Sequence, residues 1–126
     1  MARCFVAYGA VVVFVFSAGC NNGNGVITDV DELTRLECEQ YLECYPEYFY
    51  SDFDALQDCI DHEISEVGDR IEYYEEYGTA ACHQSALEFF SCLLQLSCPE
   101  LYEYYEGAGT IYPCWEEQDK MSRLCD

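Results

Sequence analysis

The chain has 126 residues, with 25 acidic residues against five basic ones, ten cysteines and twelve tyrosines, and a net charge of −20 at pH 7. A field of that sign repels nucleic acid and anionic lipid and draws cations or basic partners. The length suits one domain, and the cysteine count suits a chain that folds in an oxidising compartment.

Residues 1–19 read as a signal peptide. Arg3 is the only early charge, an apolar run extends from Phe5 to Phe16, and the small residues Ser17, Ala18 and Gly19 lead into Cys20. That order of basic start, apolar stretch and small-residue site marks a secretory leader. The run falls short of the roughly 20 apolar residues of a membrane span. Ser17-Ala18-Gly19-Cys20 resembles the lipobox of bacterial lipoproteins, in which the cysteine becomes the first mature residue and is acylated. Ala18 and Gly19 match it, and Ser17 stands where leucine is usual. The resemblance implies lipidation at Cys20, and Asn21 in place of aspartate implies the outer membrane. Ordinary cleavage nearby would instead leave Cys20 as an odd free thiol on a freely secreted chain.

Residues 20–27, with Asn-Asn-Gly-Asn-Gly at 21–25, read as the lipidated cysteine and a flexible tether. Residues 28–126 read as the folded, cysteine-rich acidic domain. Loss of Arg3 with the leader leaves four basic residues against 25 acidic ones, a net charge of −21.

Helical signals fill the domain. Thr28 and Asp31 form a capping-box pattern ahead of Val30, Leu33, Leu36, Tyr41 and Cys44, predicting a helix over 29–44. Pro46 marks the turn after it. Ser51 with Asp54 is expected to open a second helix, in which Phe53, Leu56, Ile60, Ile64, Val67, Ile71 and Tyr74 recur three or four residues apart. Gly68 is expected to bend that helix and Gly78 to end it as a C′ residue. Thr79 opens a third, with Cys82, Ala86, Phe89, Phe90, Leu93 and Leu96 inward. Ser97, Pro99 and Glu100 cap a short fourth that stops at Gly107. Beyond a glycine-rich loop, Pro113 begins a last helix carrying Trp115, Met121 and Leu124. No segment sustains period-two alternation, so strands are not expected. The predicted class is all-α: a small disulfide-stapled bundle of about four to five helices.

Two internal similarities suggest duplicated helix pairs. Cys38-x5-Cys44-x14-Cys59 parallels Cys92-x5-Cys98-x15-Cys114, and the Glu-Tyr-Tyr-Glu run at 72–75 parallels that at 103–106.

Setting aside Cys4 in the leader and Cys20 at the anchor leaves Cys38, Cys44, Cys59, Cys82, Cys92, Cys98, Cys114 and Cys125. An even set in an exported chain implies a disulfide framework. No Cys-x2-Cys pair is present, which disfavours structural zinc. Helix register selects among the 105 pairings open to eight cysteines. Cys38 and Cys59 lie about equally far from the turn between the first two helices. Cys82 and Cys92 are ten residues apart on the third helix, and Cys114 and Cys125 eleven apart on the last. Antiparallel helices rising about 1.5 Å per residue can then join Cys92 to Cys114 and Cys82 to Cys125. Cys38–Cys59 and Cys44–Cys98 complete the set.

Chemistry-bearing motifs are scarce. Asp61-His62-Glu63 resembles the histidine–aspartate dyad of calcium-dependent phospholipases, but lacks the adjacent cysteines and glycine-rich calcium loop that accompany it there. His62 is expected on the solvated face of its helix, and His83 on the surface at a helix N-terminus. No Gly-x-Ser-x-Gly, His-Glu-x-x-His or phosphate-loop pattern occurs. No EF-hand loop occurs either, so cation binding is expected to be diffuse. An enzyme is not expected, and neither a cofactor nor a specific metal is assigned. The catalytic alternative is an envelope hydrolase using carboxylates or His62.

Tyrosine is the distinctive residue. Tyr73, Tyr74 and Tyr77 stand among Glu72, Glu75 and Glu76, and Tyr102, Tyr104 and Tyr105 among Glu103 and Glu106. A third cluster runs from Tyr41 to Tyr50, through Tyr45, Tyr48 and Phe49. Tyrosine offers a broad rigid ring with a polar tip and is enriched at interfaces. The first six are the candidate surface for a basic protein, a peptide or a carbohydrate. The alternative is that they border the core with their hydroxyls in water.

The lipobox, tether and acidic helical domain together resemble the cysteine-rich lipoproteins of myxobacteria and relatives. The nearest part is Ala81-Cys82 to Cys98, with its Cys82-x9-Cys92-x5-Cys98 spacing. The tyrosine content departs from that group. The resemblance brings no activity, ligand or catalytic residue. The expected protein is an exported, lipid-anchored binding or structural module, with a freely secreted effector or inhibitor as a further alternative.

Overall fold

The computed structural model describes residues 4–8, 11–15, 25–107 and 112–126. The domain is all-α, built from α1 (Val30–Cys44), α2 (Pro46–Asp52), α3 (Leu56–Tyr77), α4 (Ala80–Leu94), α5 (Cys98–Glu106) and α6 (Trp115–Cys125). Upstream, β1 (Cys4–Tyr8) and β2 (Val11–Val15) pair antiparallel, with Cys4 opposite Val15 and Tyr8 opposite Val11. These strands depart from the expectation of none. They lie within residues 1–19, where a run of valines favours extended backbone over helix. A lone two-stranded ribbon is at best marginally stable in water. Cys20 lies outside the described residues. No described helix is long and apolar enough to cross a membrane.

Helix caps follow the sequence closely. Thr79 Oγ1 accepts from the Cys82 N–H at 3.1 Å. Ser97 and Glu100 form a full capping box, and Gly107 closes α5 at φ 57°, a left-handed turn that suits glycine. Two caps differ from expectation. Asp29, not Thr28, caps α1, accepting from the Asp31 N–H at 3.0 Å. Gly78 ends α3 in extended backbone, at φ −103°, rather than in a left-handed C′ turn. Its lack of a side chain serves space instead, since a Cβ there would stand 2.6 Å from the Tyr74 carbonyl oxygen and 2.8 Å from Cys82 Sγ.

The region 45–55 is the main correction. Pro46, read as a turn signal, sits at the start of α2, where its missing N–H costs nothing. Ser51 lies inside α2, and α3 begins only at Leu56, with Ala55 at its N-cap and no side-chain cap. The helix then continues past Gly68 to Tyr77. The last helix starts at Trp115, two residues beyond the expected Pro113, with Cys114 before it at φ 62°. A non-glycine residue there costs roughly 1–2 kcal/mol, and Cys114 is held in place by its bond to Cys92.

Two antiparallel pairs make the frame. In the first, Cys38 on α1 bonds Cys59 on α3, and a Cβ added at Gly68 would stand 3.8 Å from Val30 Cγ1. In the second, Cys82 and Cys92 on α4 bond Cys125 and Cys114 at the two ends of α6. Cys44–Cys98 ties the end of α1 to the start of α5. These are the four pairs that helix register selects, with Cα–Cα distances of 6.0, 5.2, 4.9 and 5.8 Å in chain order.

The core has two parts. Leu33, Val67, Ile71 and Leu87 join α1, α3 and α4. Phe49 packs on the Cys38–Cys59 bridge beneath α2, and its full burial is worth about 1.5–3 kcal/mol. Ile64, expected inward, falls between the two clusters and is exposed. The three buried hydroxyls are satisfied, as burial demands. Thr34 donates to the Val30 carbonyl, Ser85 to the Cys82 carbonyl, and Ser91 accepts from the Ile27 N–H at 2.7 Å.

Ser91 also corrects the domain boundary. Residues 25–27, assigned to the tether by composition, are docked on α4. Gln95 donates to the Gly25 carbonyl, and Val26 and Ile27 pack against the first core cluster. The folded domain therefore includes Gly25, Val26 and Ile27.

Candidate functional site

The six candidate tyrosines divide by role. Tyr73 and Tyr77, one turn apart near the end of α3, present exposed rings with centroids 5.2 Å apart. Tyr105 on α5 is exposed as well. Tyr74 instead turns to Phe90 at 6.0 Å. Tyr104 lies between Phe89 and Tyr112, where burial raises its phenol above the ordinary 10.0. Tyr102 donates to the Cys44 carbonyl and meets Tyr45 edge-on at 5.4 Å. Tyr74 and Tyr104 thus hold the fold together, Tyr102 is tied to it by its hydroxyl while 38% exposed, and Tyr73, Tyr77 and Tyr105 face solvent.

One run of ring contacts joins the two clusters. It passes from Tyr77 to Tyr73, Tyr74, Phe90, Phe89, Tyr104 and Tyr105, with successive centroids 5.2 to 6.4 Å apart. Such spacings are favourable for offset and edge-on aromatic pairs. The clusters that look separate in sequence become two exposed ends of one aromatic seam crossing α3, α4 and α5.

A cleft of about 240 Å³ opens between α1, α3 and α5, lined by Glu37, Gln40, Tyr41, Tyr45, Glu63 and Tyr105 over a floor of Cys59 and Leu101. Tyr41 and Tyr45 belong to the third sequence cluster and were not among the six. Their spacing of four, with Tyr41 on α1 and Tyr45 at its C-cap, was the available signal. The Tyr41 hydroxyl donates to Asp52 Oδ2 at 2.8 Å, and this bond raises its pKa above 10.0. Burial, with Tyr105 and Tyr102 nearby, raises that of Tyr45. Both rings therefore stay neutral at physiological pH.

The remaining chemical candidates are modest. His62 is exposed, with Nδ1 3.1 Å from Glu63 Oε1 and its ring 5.6 Å from Phe53. Two neighbouring side chains at the surface give no enclosed nucleophile–base pair of the kind hydrolysis uses. His83 was expected at the surface, yet Nε2 is shut away from solvent without a hydrogen-bond partner among the described residues. Cys92, Cys114 and Glu117 converge within 4.8 Å, but both sulfurs are spent on their disulfide. That leaves a single carboxylate to offer a cation.

Compared with protein-family models, curated proteins and solved structures, the chain matches none. Function is therefore argued from the site alone.

Proposed function

We propose that this is an exported protein, anchored at the outer membrane through a lipid on Cys20, that acts as a non-catalytic module binding a basic protein or peptide. The observation that carries the reading is the pairing of solvent-facing Tyr73, Tyr77 and Tyr105 with a surface of nearly unbalanced negative charge. Tyrosine supplies contact area at low entropic cost, and the charge steers a cationic partner toward it. The eight domain cysteines are consumed in disulfides, so no thiol in the domain is free for catalysis. The lipobox at 17–20 and the polar residues after it support the anchor. So does parity, because acylation removes the one cysteine that would otherwise be odd.

Two measurements test the reading. Expression in a Gram-negative host should give a membrane-bound protein whose intact mass carries a lipid adduct and lacks the hydrogens of four disulfides, and Cys20→Ala should release it. Titration of the purified protein with lysozyme, a basic probe, should show salt-sensitive binding that Tyr73→Ala/Tyr77→Ala weakens. A membrane-bound Cys20→Ala form refutes the anchor. Unchanged binding by the tyrosine variant refutes the binding surface.

A further inference from the structure

The geometry points to the cleft between α1, α3 and α5 as a seat for one guanidinium group, the arginine side chain of a basic peptide. This rests on the basic-partner reading and gives that partner a defined anchor point.

Two of the donors lining the cleft are already committed. Gln40 Nε2 donates to the Leu93 carbonyl at 2.7 Å, and the Tyr41 hydroxyl donates to Asp52. What the walls still offer is acceptors and π-faces: the carboxylates of Glu37 and Glu63, the Gln40 side-chain carbonyl, and the rings of Tyr41, Tyr45 and Tyr105. An anionic ligand would be repelled by the two carboxylates. A cation finds both carboxylates and aromatic faces.

Size and geometry narrow the choice. At about 240 Å³ the cleft is smaller than the usual site for a whole small molecule, roughly 300–1,000 Å³, and suits one side chain. Guanidinium is planar, stacks on tyrosine and meets carboxylates with a fork of donors, whereas an ammonium is a compact and more strongly hydrated charge. Glu37 already shows the contact, accepting from Arg70 Nη1 at 3.3 Å at an exposed rim. Glu63 has only the imidazole of His62 beside it, and its carboxylate is the less exposed of the two. Glu63 is therefore the principal anion for an incoming arginine, with Tyr105 as the exposed ring that closes over it.

Titration calorimetry of the exported, oxidised protein with an oligoarginine peptide, at about 0.15 M salt to screen the diffuse field, tests the assignment. Glu63→Gln should weaken binding roughly tenfold or more, as expected for loss of a charged hydrogen-bond acceptor. Tyr105→Leu should weaken it about threefold, while Tyr105→Phe, which keeps the ring, should bind as the wild type. Glu75→Gln lies about 18 Å farther along α3 and should change affinity by less than about twofold. Equal losses for Glu63→Gln and Glu75→Gln would leave only the general field and overturn the cleft. Oligolysine binding as tightly as oligoarginine would overturn the guanidinium assignment. Failure of the wild type to bind oligoarginine would instead strike the basic-partner reading itself. Thermal midpoints matching the wild type confirm that each variant is folded.

Discussion

Removal of the Cys82–Cys125 bond is the sharpest test of how this domain is held together. α6 has no buried residue of its own, and the exposed Trp115 and Leu124 add little packing. Its strongest ties to α4 are the two disulfides at its ends and the Lys120–Glu88 ion pair at 2.6 Å, beside a weak Ser85–Cys125 contact and the half-buried Met121. With its lysine about half exposed, that pair is worth at most about 1 kcal/mol. The bond spans 43 residues of sequence, and freeing a loop of that length in the unfolded chain costs about 4 kcal/mol in the chain-entropy account. For a domain near 100 residues, that loss lowers the melting temperature by roughly 15 °C. Cys82→Ala/Cys125→Ala should therefore melt at least 10 °C below the wild type under non-reducing conditions, by about the same conversion. Hydrogen exchange adds the local test: α6 amides near Met121 and Leu124 should lose protection while those of α3 keep it, because local opening needs only the weakest ties to break. A melting point within about 3 °C of the wild type, with α6 still protected, would refute the argument. Packing rather than the staple would then hold this helix.

Three further substitutions probe separate features. Gly78→Ala should destabilise by about 1–3 kcal/mol in chemical denaturation, since the added methyl meets the Tyr74 carbonyl and Cys82 Sγ; an unchanged midpoint would show that the turn yields. Ser97→Ala removes the hydroxyl that, with the Ser97 backbone N–H, holds the Glu100 carboxyl below its ordinary 4.5. A depressed carboxyl contributes stability above its unfolded value and loses it as pH falls through the folded one. The cost of Ser97→Ala, about 1 kcal/mol at neutral pH, should therefore shrink below pH 4.5, and a cost independent of pH would contradict this. His83→Leu should be neutral or stabilising in a thermal melt, because it replaces a buried nitrogen that has no partner among the described residues. His62→Ala, at the surface, should change stability by under about 0.5 kcal/mol, and a larger loss would mean that its contact with Phe53 bears weight.

Local signals were legible where their meaning depends only on near neighbours. Thr79, the Ser97–Glu100 box and Gly107 mark real helix ends because capping satisfies backbone groups within a few residues. Pro46 failed as a marker because proline serves a turn and a helix start equally well, and only the packing of Phe49 on the Cys38–Cys59 bridge selects the helix. The docked segment at 25–27 was read as a tether because Gly25, Val26 and Ile27 carry no periodicity. Their order comes from Ser91 and Gln95, more than sixty residues away. His83, expected at the surface, has a ring nitrogen closed off by tertiary packing that its helix position alone does not reveal.

By itself the sequence determined the class of the domain, the ends of most helices and the four disulfide pairs, because helical rise and antiparallel packing turn cysteine spacing into register. Charge and composition likewise determined the strongly negative field around the domain. Only the tertiary structure decided which tyrosines bind the fold and which face solvent, since residues in one run such as Tyr73 and Tyr74 point different ways around α3. It alone also made the cleft. Glu37, Tyr45, Glu63 and Tyr105 come from three helices, and a concave site exists only where those helices fail to close on one another.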